Sequence, residues 1–353
     1  MAESYIDLAI KRQAILERIK SGQVRDFNKV FKQVEKLIKS ALINLDGEVT
    51  ELGQRKLAAL IRQLEGDIFT AFTAEVAKFS AAMGTLAVVT HRQELLDLRA
   101  TVDVRGTKLD KFTKKEVFRK VVQRPLNVEG QLLKPWIDGM TVRETKRVGN
   151  AIRLGHANGK TNQELVRQII GTKSANYKNG ILNTSRRNAS TVVRTSVQHV
   201  ASSARQETWE ANQDVITAYQ FLATLDRKTS AICRHLDKQL FEFGEGPIPP
   251  IHPNCRSTTL PKLAPEFDFL SKGRTRSGEK GPVSADTDFY GWLKNQPKAT
   301  QVEVLGPTRA KLFRDGGMSA EKFRRLQFDK NFEPLTLAEM RQRQPKAFEL
   351  AGL

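Results

Sequence analysis

The stretch DVITAYQFLATLDRKTSAICRHLDKQLFEFGEGPIPPIHPNCRSTTLPKL, residues 214–263, is where the texture of the chain changes. Residues 215–223 are β-branched and aromatic, which predicts a strand. Asp226 is a candidate N-cap for a short helix over 229–236, and 240–243 reads as a second short strand. Pro247, Pro249, Pro250 and Pro253 then stiffen the segment that carries His252, Cys255 and Arg256. The segment reads as the rigid closing turn of a small α+β module at about 190–263.

Everything on the N-terminal side reads as helix. Phe27, Val30, Phe31, Val34, Leu37, Ile38 and Leu42 step by three and four, with Lys29, Lys32, Lys36 and Lys39 off the stripe. After Asp46-Gly47 the period resumes at Leu57, Leu60, Ile61, Leu64, Ile68, Phe72 and Val76, predicting a long antiparallel hairpin over 1–100. Residues 101–135 are polar and basic and read as a linker or arm. Between 136 and 212 the helices are shorter. Thr141 with Glu144 and Thr161 with Glu164 have capping-box spacing, and Gly155 and Gly171 mark helix ends. A third helix runs over about 190–212.

Residues 271–288, rich in Gly, Ser and charge, read as a flexible loop, and 289–353 as a tail of short amphipathic helices. The expected fold is mainly α with a small α+β module: helical hairpin, basic arm, a domain over 136–270, loop and helical tail.

Composition narrows the function classes. The chain has 353 residues and a net charge of +19. Residues 101–200 carry 20 Lys/Arg against 7 Asp/Glu, a net of +13, so the middle third holds most of the excess. Such a field favours a polyanion. The candidate contacts are Arg105, Lys108, Lys111, Lys114, Lys115, Arg119, Lys120 and Arg124, joined by Arg186, Arg187 and Arg194; a solvated helix face is the plainer reading. Few aromatics interleave with them, which favours phosphate contact over base stacking. No run of eighteen apolar residues occurs, so no membrane span is expected, and the first residues lack a secretory pattern. Two cysteines exclude a disulfide scaffold.

The order Arg194-Thr195, Trp209, Thr224-Leu225-Asp226, Thr229-Ser230, Cys233, Leu236-Asp237, Phe241, Pro250 and His252-Pro253-Asn254-Cys255-Arg256 resembles the phage Mu F-like family of head morphogenesis (minor head) proteins. Phe289-Tyr290-Gly291-Trp292-Leu293, Val304 to Arg309 and Leu335-Thr336-Leu337 extend the resemblance over roughly 140–345. It implies a minor capsid protein of a tailed phage, located in the virion near the portal vertex and in the host cytoplasm during assembly. The implied partners are the portal, the major capsid and scaffold proteins, and packaged double-stranded DNA; an oligomer is compatible and no membrane is implied. Such proteins can leave the head with the genome. The sequence departs from the pattern at Ser196, where an acidic residue is frequent, and at Ser257, where a second cysteine is frequent. A virion-delivered enzyme built on the same module is the alternative.

The chemistry-bearing residues are Cys233, His235, His252 and Cys255. They form a C-x-H and an H-x-x-C pair, and could hold tetrahedral zinc, a Cys233–Cys255 disulfide, or only pack. No cofactor is expected, with zinc the alternative. Arg256 needs a carboxylate, and Asp226 and Asp237 are the candidates. A thiol nucleophile would take a His base oriented by Asp226. A nuclease would need clustered carboxylates, and Asp226 and Asp237 are the nearest pair.

Overall fold

The computed structural model describes residues 5–102, 109–265 and 275–353. Helices α1 (Tyr5–Ile43) and α2 (Gln54–Val102) form the expected antiparallel hairpin. Their stripes meet through Phe27–Phe79 and Phe31–Phe72, ring centroids 5.7 and 5.2 Å apart and edge to face. The connecting turn buries Val49, whose amide donates to Asn162 Oδ1 at 2.8 Å, while Asn162 Nδ2 donates to the Gly47 carbonyl at 2.9 Å. Over Gln54–Ala100, α2 is long and apolar enough by length and composition to cross a membrane. Ile61, Leu64, Ile68, Phe72, Phe79 and Met83 from this stretch are buried in the helical core.

That core is shared, which corrects the picture of a separate hairpin followed by a basic arm. Helix α3 (Lys114–Gln123) begins at a Thr113–Glu116 capping box and buries Val117 and Val121. Helices α4 (Leu133–Ala157), α5 (Asn162–Ile170) and α6 (Ile181–Glu210) add Val148, Ile152, Leu165, Val193 and Val197 to the cluster that holds the hairpin stripes. An amphipathic ten-residue helix with its valines on one side buries them, however basic its other side is.

Boundaries differ in instructive ways. Thr161 and Glu164 do cap α5, and Gly171, at φ 97°, does close it. Thr141 and Glu144 lie buried inside α4, because a helix already running from Leu133 overrides a local capping signal. Helix α6 starts at Ile181, earlier than expected.

After α6 comes a three-stranded antiparallel sheet in the order β2-β1-β3, from β1 (Ile216–Leu222), β2 (Leu240–Phe241) and β3 (Thr258–Leu263). Tyr219 pairs with Phe241 on one side and Pro261 on the other. One face packs with Trp209, Val215 and Leu260 on Leu95 and Leu98 of α2. The segment expected to be a flexible loop contains a hairpin of β4 (Thr275–Gly278) and β5 (Gly281–Ser284), with Gly281, at φ 133°, opening β5 directly after the two-residue turn. The tail forms α8 (Phe289–Lys294), α9 (Lys298–Leu305), α10 (Pro307–Asp315), α11 (Ala320–Arg325), α12 (Leu337–Arg343) and α13 (Pro345–Leu350) around Tyr290, Phe313 and Phe323.

Candidate functional site

The site grows from the centre of the sheet. Strand β1 supplies Phe221, and the segment after it turns back through α7 (Ala231–Leu236). Ser230, not Asp226, caps α7: its Oγ accepts from the Cys233 amide at 3.4 Å. This places Cys233 in the first turn, pointing inward beside Phe221, Ala223, Leu236 and Cys255.

The second arm is the proline-rich turn. The Pro249–Pro250 bond is cis. Asn254 sits at φ 58°, a left-handed conformation that asparagine tolerates better than most residues. The turn is clamped to the helical body. The Asn254 amide donates to Thr195 Oγ1 at 3.2 Å, and Asn254 Nδ2 donates to Thr191 Oγ1 at 3.1 Å, both on α6. Lys20 of α1 is 1% exposed and donates to Gln198 Oε1 and Glu17 Oε1 at 2.6 Å and to the Cys255 carbonyl at 3.3 Å. Burial pulls its ammonium below the ordinary value against the attraction of Glu17.

Three of the four expected donors converge. Cys233 Sγ lies 3.2 Å from His252 Nε2 and 3.8 Å from Cys255 Sγ, and both cysteines are free thiols. Hydrogen bonding from Cys233 holds the Cys255 thiol well below its usual range despite burial, with His252 adding to the effect. The same contact, reinforced by burial, pushes Cys233 well up. Burial lowers His252, but the hydrogen bond and charge of Cys255 outweigh it and leave the imidazole raised.

His235 does not join them. Its Nδ1 lies 3.1 Å from the Arg324 carbonyl, its ring centroid is 4.9 Å from that of Phe328 at a tilt of 47°, and burial lowers its pKa. Two residues along a helix from Cys233 is on the opposite side, about 200° round the axis, which the C-x-H spacing conceals.

The carboxylate question divides cleanly. Arg256 grips Asp226, with Nη2 2.8 Å from Oδ1 and Nη1 on Oδ2. Asp237 belongs to Arg276 of β4, at 2.9 Å and fully buried, and also accepts the Ala223 and Phe289 amides at 2.7 Å. Each carboxylate is therefore held by its own arginine. Of the nucleophile arrangement, thiol and imidazole meet but the expected orienter does not: His252 Nδ1 faces the Pro253 carbonyl at 2.9 Å, and Asp226 is committed to Arg256. Arg276 was not singled out in the sequence, because it sits in a segment whose composition hides a strand.

Among the basic candidates, several are spent inside the fold. Arg124 pairs with Glu207 and Glu210 at 2.7 and 2.8 Å, and Lys120 with Glu207 at 3.0 Å. Arg186 pairs with Glu35 and lies over the Phe31 ring, and Arg194 reaches Glu17 at 3.6 Å. Lys111, Lys114, Lys115, Arg119 and Arg187 are exposed, while Arg105 and Lys108 lie outside the described residues. A basic cavity of about 760 Å³ was missed: Arg25, Lys29, Lys32 and Lys39 of α1 line it together with Arg186 and the exposed ring of Tyr177. The lysines were legible as an off-stripe face, but the loop that meets them was not.

Residues 146–260, about a third of the chain, match the family described as Phage Mu protein F like protein. No curated protein and no solved structure matches the chain.

Proposed function

With residues 146–260 forming a Phage Mu protein F like segment, we propose that the chain is a minor head protein of a tailed phage. It docks on the portal during assembly, resides inside the head and meets packaged double-stranded DNA. The observation that carries this reading is the family match. It runs from within α4 to β3, and so takes in the His252–Arg256 turn and its supports on α6.

Charge supports the DNA contact. Lys111, Lys114, Lys115 and Arg119 are exposed at and before α3, and the basic cavity opens on α1. Phosphate contact needs cation density without base-edge readout. Three of the longer-range arginines are instead consumed by Glu207, Glu35 and Glu17, so the DNA-facing set is smaller than the net charge suggests.

Quantitative composition of purified virions and co-purification with the portal test the structural role; a chain absent from virions would overturn it. Binding to double-stranded DNA should weaken steeply with salt. Replacing Lys111, Lys114, Lys115 and Arg119 together by Ala should reduce the slope of log affinity against log salt by about 3–4. A flat salt response removes the DNA contact from the reading.

A further inference from the structure

The three convergent donors have the spacing of a metal site. Cys233 Sγ is 3.8 Å from Cys255 Sγ and 3.2 Å from His252 Nε2, and all three donor atoms lie within 4.8 Å of one another. Two thiolates bound about 2.3 Å from a tetrahedral zinc stand about 3.8 Å apart, and a thiolate and an imidazole about 3.5 Å apart. The sulfur pair therefore matches one edge of such a tetrahedron. The sulfur–nitrogen pair is within a few tenths of an ångström of another.

The imidazole is oriented for ligation. A carbonyl can only accept, so the 2.9 Å contact between His252 Nδ1 and the Pro253 carbonyl puts the proton on Nδ1. In the neutral ring Nε2 then presents its lone pair to the sulfurs. Fixing the remote ring nitrogen on a backbone carbonyl is how metal-ligating histidines are held. The Ser230 hydroxyl accepts from the Cys233 amide at 3.4 Å and so fixes the turn that carries the sulfur.

The frame is built in advance of any ligand. His252 and Cys255 share one turn, closed by the Cys255 amide donating to the His252 carbonyl at 3.2 Å and pinned to α6 through Asn254. Cys233 comes from the capped first turn of α7. Both cysteines are buried, whereas His252 is half-buried and gives the cluster its edge toward solvent. Two thiolates offset a divalent charge, so loading would bury a neutral unit rather than a lone ion.

We propose that Cys233, His252 and Cys255 form a three-ligand zinc site whose fourth position is taken by water. On loading, two Zn–S bonds and one Zn–N bond form, and the thiol protons leave to solvent. The site joins α7 to the proline-rich turn and so acts as a cross-link at the centre of the module. It stands independently of where in a phage particle the chain resides.

The test uses the full-length chain, stripped with a chelator under reducing conditions and titrated with Zn²⁺ or Co²⁺. The expected result is one metal per chain, with a cobalt complex that shows thiolate-to-metal charge transfer in the near ultraviolet and tetrahedral bands in the visible. His235→Ala keeps this spectrum, while His252→Ala and Cys255→Ser weaken binding by more than about 10–100-fold, the usual loss for an outer partner alone. The wild-type cobalt spectrum decides the matter even where a variant fails to fold. No charge-transfer band with both thiols still titratable overturns the site. So does a Cys233–Cys255 disulfide that forms in air at the same rate with and without Zn²⁺.

Discussion

Arg256 grips both carboxylate oxygens of Asp226, thirty positions earlier in the chain, and so ties the end of the proline-rich turn to the segment that leaves β1. Thr224 Oγ1, donating to the Arg256 carbonyl at 3.2 Å, closes the same junction. The fork of a guanidinium fits a carboxylate in a way that an ammonium does not. Arg256→Ala should therefore lower unfolding free energy by about 1–3 kcal/mol, because Asp226 is left half-buried without its partner. Arg256→Lys should recover only part of that. Urea denaturation of the three proteins checks it, and full recovery by lysine would show that the two-pronged grip is not what matters.

The Arg276–Asp237 pair should be more costly to break. Both side chains are almost wholly buried, at 2% and 0% exposure. Arg276→Met leaves a buried carboxylate uncompensated, for an expected loss of about 3–5 kcal/mol. Asp237→Asn combined with Arg276→Met should cost less than the two single changes added together, because the stranded charge is gone. A double-mutant cycle measured by chemical denaturation gives the coupling; additive losses would contradict the pairing.

His199 should make the fold acid-sensitive. It is buried in α6, and desolvation lowers its pKa from 6.5 to about 4, with the charge of nearby Arg124 adding to the shift. The unfolded chain therefore takes up the proton first as pH falls. The stability in question is fully present above about 6.5 and is lost as pH falls toward 4, to a total of about 3 kcal/mol. His199→Gln should flatten stability against pH across that window, which denaturation midpoints at several pH values will show. His91, lowered by burial as well, contributes residual slope in the same direction.

Asn162 should matter out of proportion to its place at the first position of a short helix. Its side chain accepts the buried Val49 amide and donates to the Gly47 carbonyl, locking the hairpin turn to α5. Asn162→Ala leaves that amide unsatisfied and should cost about 1–3 kcal/mol. Hydrogen exchange at Val49 should accelerate with it. Unchanged protection there would mean that water replaces the side chain without penalty.

Local pattern and tertiary structure divide the protein between them. The apolar steps from Phe27 to Leu42 and from Leu57 to Val76, the Thr161–Glu164 box, the stop at Gly171 and the β-branched run before Ala223 were all legible. Each is decided within a few residues by side-chain period or backbone conformation. The pairing of Arg256 with a nearby aspartate was legible as a need but not as a choice, because Asp226 and Asp237 differ only in what folds beside them. The rest belonged to tertiary structure. Thr141 lost its capping role to a helix already begun at Leu133. Arg276 found Asp237 only once a charged, glycine-bearing segment had formed a hairpin. Three of the four donors met because the proline-rich turn folds back onto α7, while helical geometry turned His235 toward Arg324 and Phe328. The sequence by itself determined the long helices, the central strand, the residue types at the site and the family signal. Only the three-dimensional fold decided which charges neutralise one another and which donors share a centre, because those contacts join residues far apart in the chain and depend on packing that no local pattern encodes.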